Sequence, residues 1–176
     1  DEVVDVIREE GEEAALGRYC DSVWEAGRMA AELCALLAPR LGFTDAGTLS
    51  TQTILAFLGD LAVPSLLGSD AGAIRELDLV ERLRFEQEQL GASSVLLGTI
   101  VISAWGLPPA IVDAVAAAGR IVVTPVGQSD PAQAPRSALI YACVRIGEAI
   151  ARQRVERAEE IELRNTGAPE LHHLQG

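Results

Sequence analysis

Hydrophobic positions crowd most densely into residues 90–119, LGASSVLLGTIVISAWGLPPAIVDAVAAAG. From Val95 to Trp105 the only polar side chains are Thr99 and Ser103. A helix there is apolar on nearly every face, the pattern of a helix inside a bundle. Gly106 is placed to end it in a left-handed conformation, and Pro108 and Pro109 block its continuation. Pro109 suits the first turn of a following helix, whose Ile111, Val112, Val115 and Ala118 fall on one stripe. The pattern predicts a buried helical hairpin on which the other helices pack.

The rest of the chain reads as further helices. Residues 2–16 are acidic, with Val3, Val4 and Ile7 at helical spacing, and Gly11 and Gly17 weaken the helix they predict. Residues 22–41 predict a stronger one, capped by Asp21 or Ser22. Its stripe is Val23, Ala26, Gly27, Ala30, Leu33, Cys34, Leu37 and Leu41, with Glu25, Arg28 and Glu32 on another face. A third helix starts at Thr48 or Ser50, turns Ile54, Phe57, Leu58 and Leu61 inward, loosens at Gly59 and stops or kinks at Pro64. Ser69 and Asp70 are placed to cap an amphipathic segment over residues 71–90. Residues 120–136 form a loop in which Ile121, Val122 and Val123 lack a partner strand. A closing helix spans residues 137–157, with Leu139, Cys143, Ile146 and Ile150 inward. Arg145, Glu148 and Arg152 share a polar face at i,i+3/i+4 spacing, where pairs contribute about 0.2–0.5 kcal/mol each. The tail, residues 159–176, has little periodicity. The class predicted is all-α, in a single domain spanning residues 1–176.

Composition narrows the partners. The chain has 176 residues, 49% hydrophobic but only 4% aromatic, so its core is Leu, Val, Ile and Ala. Its 14 basic residues are all arginine, and its net charge of -12 repels phosphates, which argues against nucleic acid and against an anionic membrane surface. The uncharged run 92–109 is broken by Gly and Pro before it reaches the ~20 residues of a membrane span. Cys20, Cys34 and Cys143 show no C-x-x-C spacing, the usage of buried reduced thiols in a cytoplasmic protein, with a single disulfide as the alternative. The chain does not begin with methionine, which is compatible with an internal start.

Three stretches together resemble the HDOD domain, a divergent relative of the HD metal-dependent phosphohydrolases. Val23-Trp24-Glu25-Ala26-Gly27, followed by Ala30-Ala31, is similar to that family's W-x-H-S helix opening. Residues 54–62, ILAFLGDLA, resemble its GLLHDIG segment. Phe85-Glu86, Leu90-Gly91, Gly98 and Trp105-Gly106-Leu107-Pro108 are similar to E-x-x-x-x-G-x-x-H-x-x-x-G-x-x-L-x-x-W-x-L-P, the most specific match because spacing and the W-G-L-P corner agree. The resemblance covers residues 21–119; the upstream lobe of the family, with its D-P-x-L and N-S pattern, is not found.

The superfamily's chemistry needs a metal that acidifies a bound water, and here the positions that would hold it have changed. The resemblance places Ala26, Gly59 and Ser94 where histidines stand in active relatives, and leaves Asp60 alone of the HD pair. Ala117, Ala118 and Gly119 replace the histidines after the W-x-L-P corner. A divalent ion wants about four or more ligands, so the resemblance implies a degenerate pocket at Ala26, Gly59, Asp60 and Ser94, with no metal, no cofactor and no catalytic residue. Asp60 is either a remnant ligand or a helix-end hydrogen-bonding group, and an ion pair with Arg145 in place of the metal is the sharper alternative. Trp24 and Trp105 read as packing anchors, the cysteines as core filling, and His172-His173 as an incidental pair.

Two function classes compete. One is a non-catalytic regulatory module, a pseudoenzyme that binds another protein or a second copy of itself. The resemblance implies this, because HDOD domains are bacterial signal-transduction modules. The other is a metal-dependent HD-type phosphohydrolase acting on nucleotides or phosphodiesters. A third reading is a small-molecule sensor that uses the emptied pocket. The expectation drawn is regulation through protein–protein contact, with the acidic surface steering the domain toward a basic partner.

Overall fold

The structure is a computed structural model, and it describes residues 2–68, 74, 77, 79–121 and 123–152. Among these residues the chain forms helices α1 (Glu2–Leu37), α2 (Ala46–Leu55), α3 (Leu58–Leu67), α4 (Leu79–Leu90), α5 (Ser94–Ala104), α6 (Pro109–Gly119) and α7 (Ala134–Ala151), and no strand. The expected all-α class is what the chain adopts.

The organising helix is α1, not the 90–119 hairpin. Tyr19, Val23, Ala26, Ala30 and Cys34 follow one another at intervals of three or four and are all buried, and Ala38 beyond the helix end continues the line. Small residues dominate this stripe, so α7 lies close against it. A Cβ added to Gly147 on α7 would meet Ala26 O at 2.5 Å and the Ala30 Cβ at 2.9 Å. The backbones approach as only a glycine allows. Leu139, Ile140 and Cys143 of α7 complete the same core, where Cys34 and Cys143 are both buried as free thiols. On the solvent face Arg28 bridges Glu25 and Glu32 at 2.7 and 2.6 Å, as their spacing predicts.

Four expectations need correction. The two N-terminal helices are one: α1 runs unbroken from Glu2 to Leu37, so Gly11 and Gly17, costing about 1 kcal/mol each, weaken it without ending it. Ser22 is therefore no cap; its hydroxyl donates back to Tyr19 O at 2.9 Å. The third helix splits at Ala56-Phe57 into α2 and α3, and Pro64 lies inside α3, buried. In α5 only Ser94, Gly98 and Ile102 are buried, whereas Leu96 and Ile100 are about half exposed, at 49% and 54%. The run is apolar all round yet packs on one side only. Finally, Trp24 and Trp105 point outward and anchor no core.

Other readings hold. Gly106 takes a left-handed φ of 74° at the corner, and Pro109 opens α6. Pro135, read as part of the loop, instead stands in the first turn of α7, which begins at Ala134, three residues before the predicted start. Arg136 there pairs with Asp45 ahead of α2 and lies over the Phe43 ring, tying the two helix starts together. By length and mean hydropathy (1.2) the stretch Ala46–Leu67 could cross a membrane, but it is broken at Ala56-Phe57 and carries the buried charge of Asp60. It packs here as α2 and α3. The Ser69-Asp70 cap, Val122, the side chains of Val3, Val4 and Ile7, the helix beyond residue 152, the tail and His172-His173 lie outside the described residues.

Candidate functional site

Four of the sequence-picked positions belong to very different surroundings. Ala26 is buried under Gly147. Gly59, in the first turn of α3, faces Ser94 and Gly98 of α5 so closely that an added Cβ would sit 1.7 Å from Ser94 O. Gly98 makes the reciprocal approach, its Cβ position 3.0 Å from Gly59 N. The glycine at the HD position thus sets a helix crossing, and no side chain fits there. Asp60 and Ser94 do come together, and Asp60 is buried.

What faces Asp60 is an arginine from α4. Arg82 is 3% exposed and holds three carboxylates from three helices. Its Nη1 donates to Glu148 Oε1 of α7 at 2.9 Å, its Nη2 lies 3.5 Å from Asp60 Oδ1 of α3, and its Nε lies 3.7 Å from Glu86 Oε1, one turn on in α4. Arg145 Nη1 donates to Glu148 Oε2 at 2.7 Å, and Arg152 Nη2 stands 3.6 Å from Oε1. Asp60, Glu86 and Glu148 therefore stand against Arg82, Arg145 and Arg152, three groups of each sign gathered out of water. Glu86 has a second task. Its Oε2 accepts the Ser94 N–H at 2.6 Å, placing a negative charge at the start of α5 where the helix dipole favours one.

The electrostatics divide the acids. Burial would raise Glu148, but Arg82, Arg145 and Arg152 outweigh it and hold the carboxyl down at about 2. Burial pushes Asp60 up, and Arg82 only partly offsets this. Glu86 is likewise raised by burial, against the pull of the Ser94 N–H and Arg82. Burial also lifts the Tyr19 phenol of α1, aided by the Asp60 charge. Tyr19 Oη, Asp60 Oδ1 and Glu86 Oε1 are buried with no hydrogen-bond partner among the described residues.

The residues present do not fit a divalent ion at the HD position. A side chain at position 59 is excluded by backbone, Ser94 faces a carboxylate already engaged, and a guanidinium occupies the open side of Asp60. Among the described residues no group of three or more His, Cys, Asp or Glu gathers to hold a metal. The alternative Asp60–Arg145 pair does not form: Asp60 faces Arg82, and Arg145 is one step away on Glu148. Nor do Arg145, Glu148 and Arg152 form a solvated face; their spacing is as read, but Glu148 is 4% exposed.

Arg82 and the capping role of Glu86 were missed from sequence. The signal available was the i,i+4 pair Arg82/Glu86 in an otherwise amphipathic segment, which looks the same whether buried or solvated.

A family model, the HDOD domain, matches residues 4–121. The match takes in nearly all of α1 and runs past α6. No curated protein and no solved structure matches the chain. An all-α bundle with the W-G-L-P corner between α5 and α6, matched over well more than half its length, belongs to the HDOD domain family.

Proposed function

We propose that this HDOD domain is a regulatory module that acts by binding a basic protein partner and not by catalysis. The observation that carries the reading is the outer face of α5. Leu96 and Ile100, one turn apart, and Trp105 at the corner are 49%, 54% and 62% exposed, while the opposite side of the same helix is pinned by Gly98 and Ile102. About half of the surface of these side chains is left uncovered by the fold. Large exposed apolar residues, aromatic ones above all, are the anchors from which protein interfaces are built. A net charge of -12 around such a ridge accelerates encounter with a positively charged surface and slows it with a negative one.

The test compares the full chain with a Leu96→Ser/Ile100→Ser/Trp105→Ser variant as baits. A basic protein held by the first and lost by the second, with an association rate that falls as salt rises, supports the reading. Equal capture by both baits, or a salt-independent rate, overturns it. So would metal-dependent hydrolysis of a generic phosphodiester by the purified chain that survives Trp105→Ser.

A further inference from the structure

A cleft of about 660 Å³ opens between α6, the following loop and the start of α7, away from the Arg82 node. That volume falls in the range of small-molecule sites, roughly 300–1,000 Å³. Its α6 wall is formed by Ala110, Ala114 and Ala117, at intervals of four and three, so helix backbone lies close to anything that enters. Gln128, Gln133 and Ser137 line the other side and offer amide and hydroxyl groups.

Three charged residues line the cleft: Asp113, Arg120 and Asp130. Asp130 is committed to the fold, since its Oδ1 accepts the Ala132 N–H at 2.9 Å and its carbonyl accepts the Gln133 and Ala134 N–H groups. Asp113 and Arg120 have no side-chain partner among the described residues. They stand seven residues apart on one face of α6, about 10 Å along its axis. That is two turns, too far for the i,i+3/i+4 contact by which helical charges neutralise one another. One carboxylate and one guanidinium, each without a side-chain partner among the described residues, therefore flank a floor of methyl groups at a fixed separation.

From this geometry we infer that the cleft binds a short zwitterionic peptide, its ammonium on Asp113, its carboxylate on Arg120, and its small side chains on the alanines. The amide and hydroxyl groups of Gln128, Gln133 and Ser137 meet the peptide groups between. A phosphate-bearing ligand matches poorly, because the cleft carries two carboxylates against one guanidinium. The inference stands apart from the α5 ridge and survives if that face binds nothing.

Tri-alanine, titrated into the full chain by calorimetry and by amide chemical-shift mapping, is the direct probe. Binding with shifts confined to α6, residues 120–133 and the first turns of α7 is expected. Charge-assisted contacts of this kind make each of Asp113→Asn and Arg120→Gln weaken it roughly tenfold or more. Tri-alanine with acetylated and amidated ends should lose affinity similarly, and Ala114→Leu should block the cleft with both charges intact. No binding up to about 10 mM, well past the millimolar limit of a useful site, overturns the inference. So does equal binding to both charge variants, or butylamine or butyrate alone binding as well as the zwitterion.

Discussion

Asp60 and Asp113 are both aspartates on apolar helices, and they meet opposite fates. Asp60 is sealed behind α4 and α7 with a guanidinium laid across it, while Asp113 stands on the rim of a cleft with no side-chain partner among the described residues. The difference lies in what approaches each helix. α3 is drawn onto α5 by Gly59 and Gly98 until only backbone separates them. A cleft opens between α6, the loop after it and the start of α7. A buried charge of this kind locks helices together, whereas an exposed one beside a cavity is left for a ligand. Sharpening the contrast means altering each region and asking whether the fold or the binding responds.

The largest effect belongs to Arg82→Ala. It leaves Asp60, Glu86 and Glu148 buried around a void, and removal of one partner from a buried ion pair costs about 3–5 kcal/mol. Urea unfolding should show that loss. A cost no larger than that of an exposed pair would mean that water already enters the node and that the contrast with the cleft is overstated. Arg82→Lys should recover only part of the loss, because one ammonium cannot serve three carboxylates as a planar fork does.

Gly59→Ala comes next. Its methyl would overlap Ser94 O, 1.7 Å away, so α3 and α5 must part; overpacking of this sort costs about 1–3 kcal/mol, and backbone contacts lie at the upper end. Gly59→His, which restores the HD pair in sequence, should be worse and should bind no zinc or manganese. Stoichiometric metal uptake by that variant would show that the crossing can open into a pocket.

These two residues also show how far sequence reaches. The W-G-L-P corner was legible because Gly106 and Pro109 have few other uses at that spacing, and α6, α7 and the second half of α1 because their stripes repeat, whereas the join within α1 and the break between α2 and α3 were not. Gly59 was legible as a missing histidine but not as a contact, since nothing local says which helix lies opposite. Arg82 was illegible for the same reason. Whether an arginine on an amphipathic helix is solvated or buried depends on acids more than twenty residues away, on α3 and α7. The 90–119 hairpin erred in the other direction: apolar composition was read as burial, yet Leu96, Ile100 and Trp105 meet solvent.

Proton linkage separates the acids within the node. Glu148, held at about 2, contributes stability that is complete above its unfolded value near 4.5 and is lost as pH falls toward 2. Asp60 and Glu86 run the other way. Their folded values are raised, so their contribution is complete below the unfolded values and fades as pH climbs through the folded ones. The groups facing Asp60 are Tyr19 from α1, Arg82 and Glu86 from α4, Ser94 from α5, and Glu148 and Arg152 from α7. In Asp60→Asn the group no longer titrates, so the wild type should gain stability on the variant as pH drops from 7 to 4. Thermal melts across that range decide it. A wild type that instead falls behind would mean that Arg82 outweighs burial at Asp60.

The smallest effect is the one that completes the contrast. Asp113 and Arg120 are exposed, two turns apart, and hold no element to another, so Asp113→Asn and Arg120→Gln should each leave unfolding within about 0.5 kcal/mol of the wild type. Asp113→Asn should be the more nearly silent, since it sits in the middle of α6 where the helix dipole has little reach. Arg120 caps the C-terminal end of α6, and its positive charge there is favourable, so Arg120→Gln should lose a few tenths of a kcal/mol that added salt erases. A loss in either variant comparable to that of Arg82→Ala would make the rim charges part of the scaffold, and the distinction between sealed and open aspartates would then have no physical content.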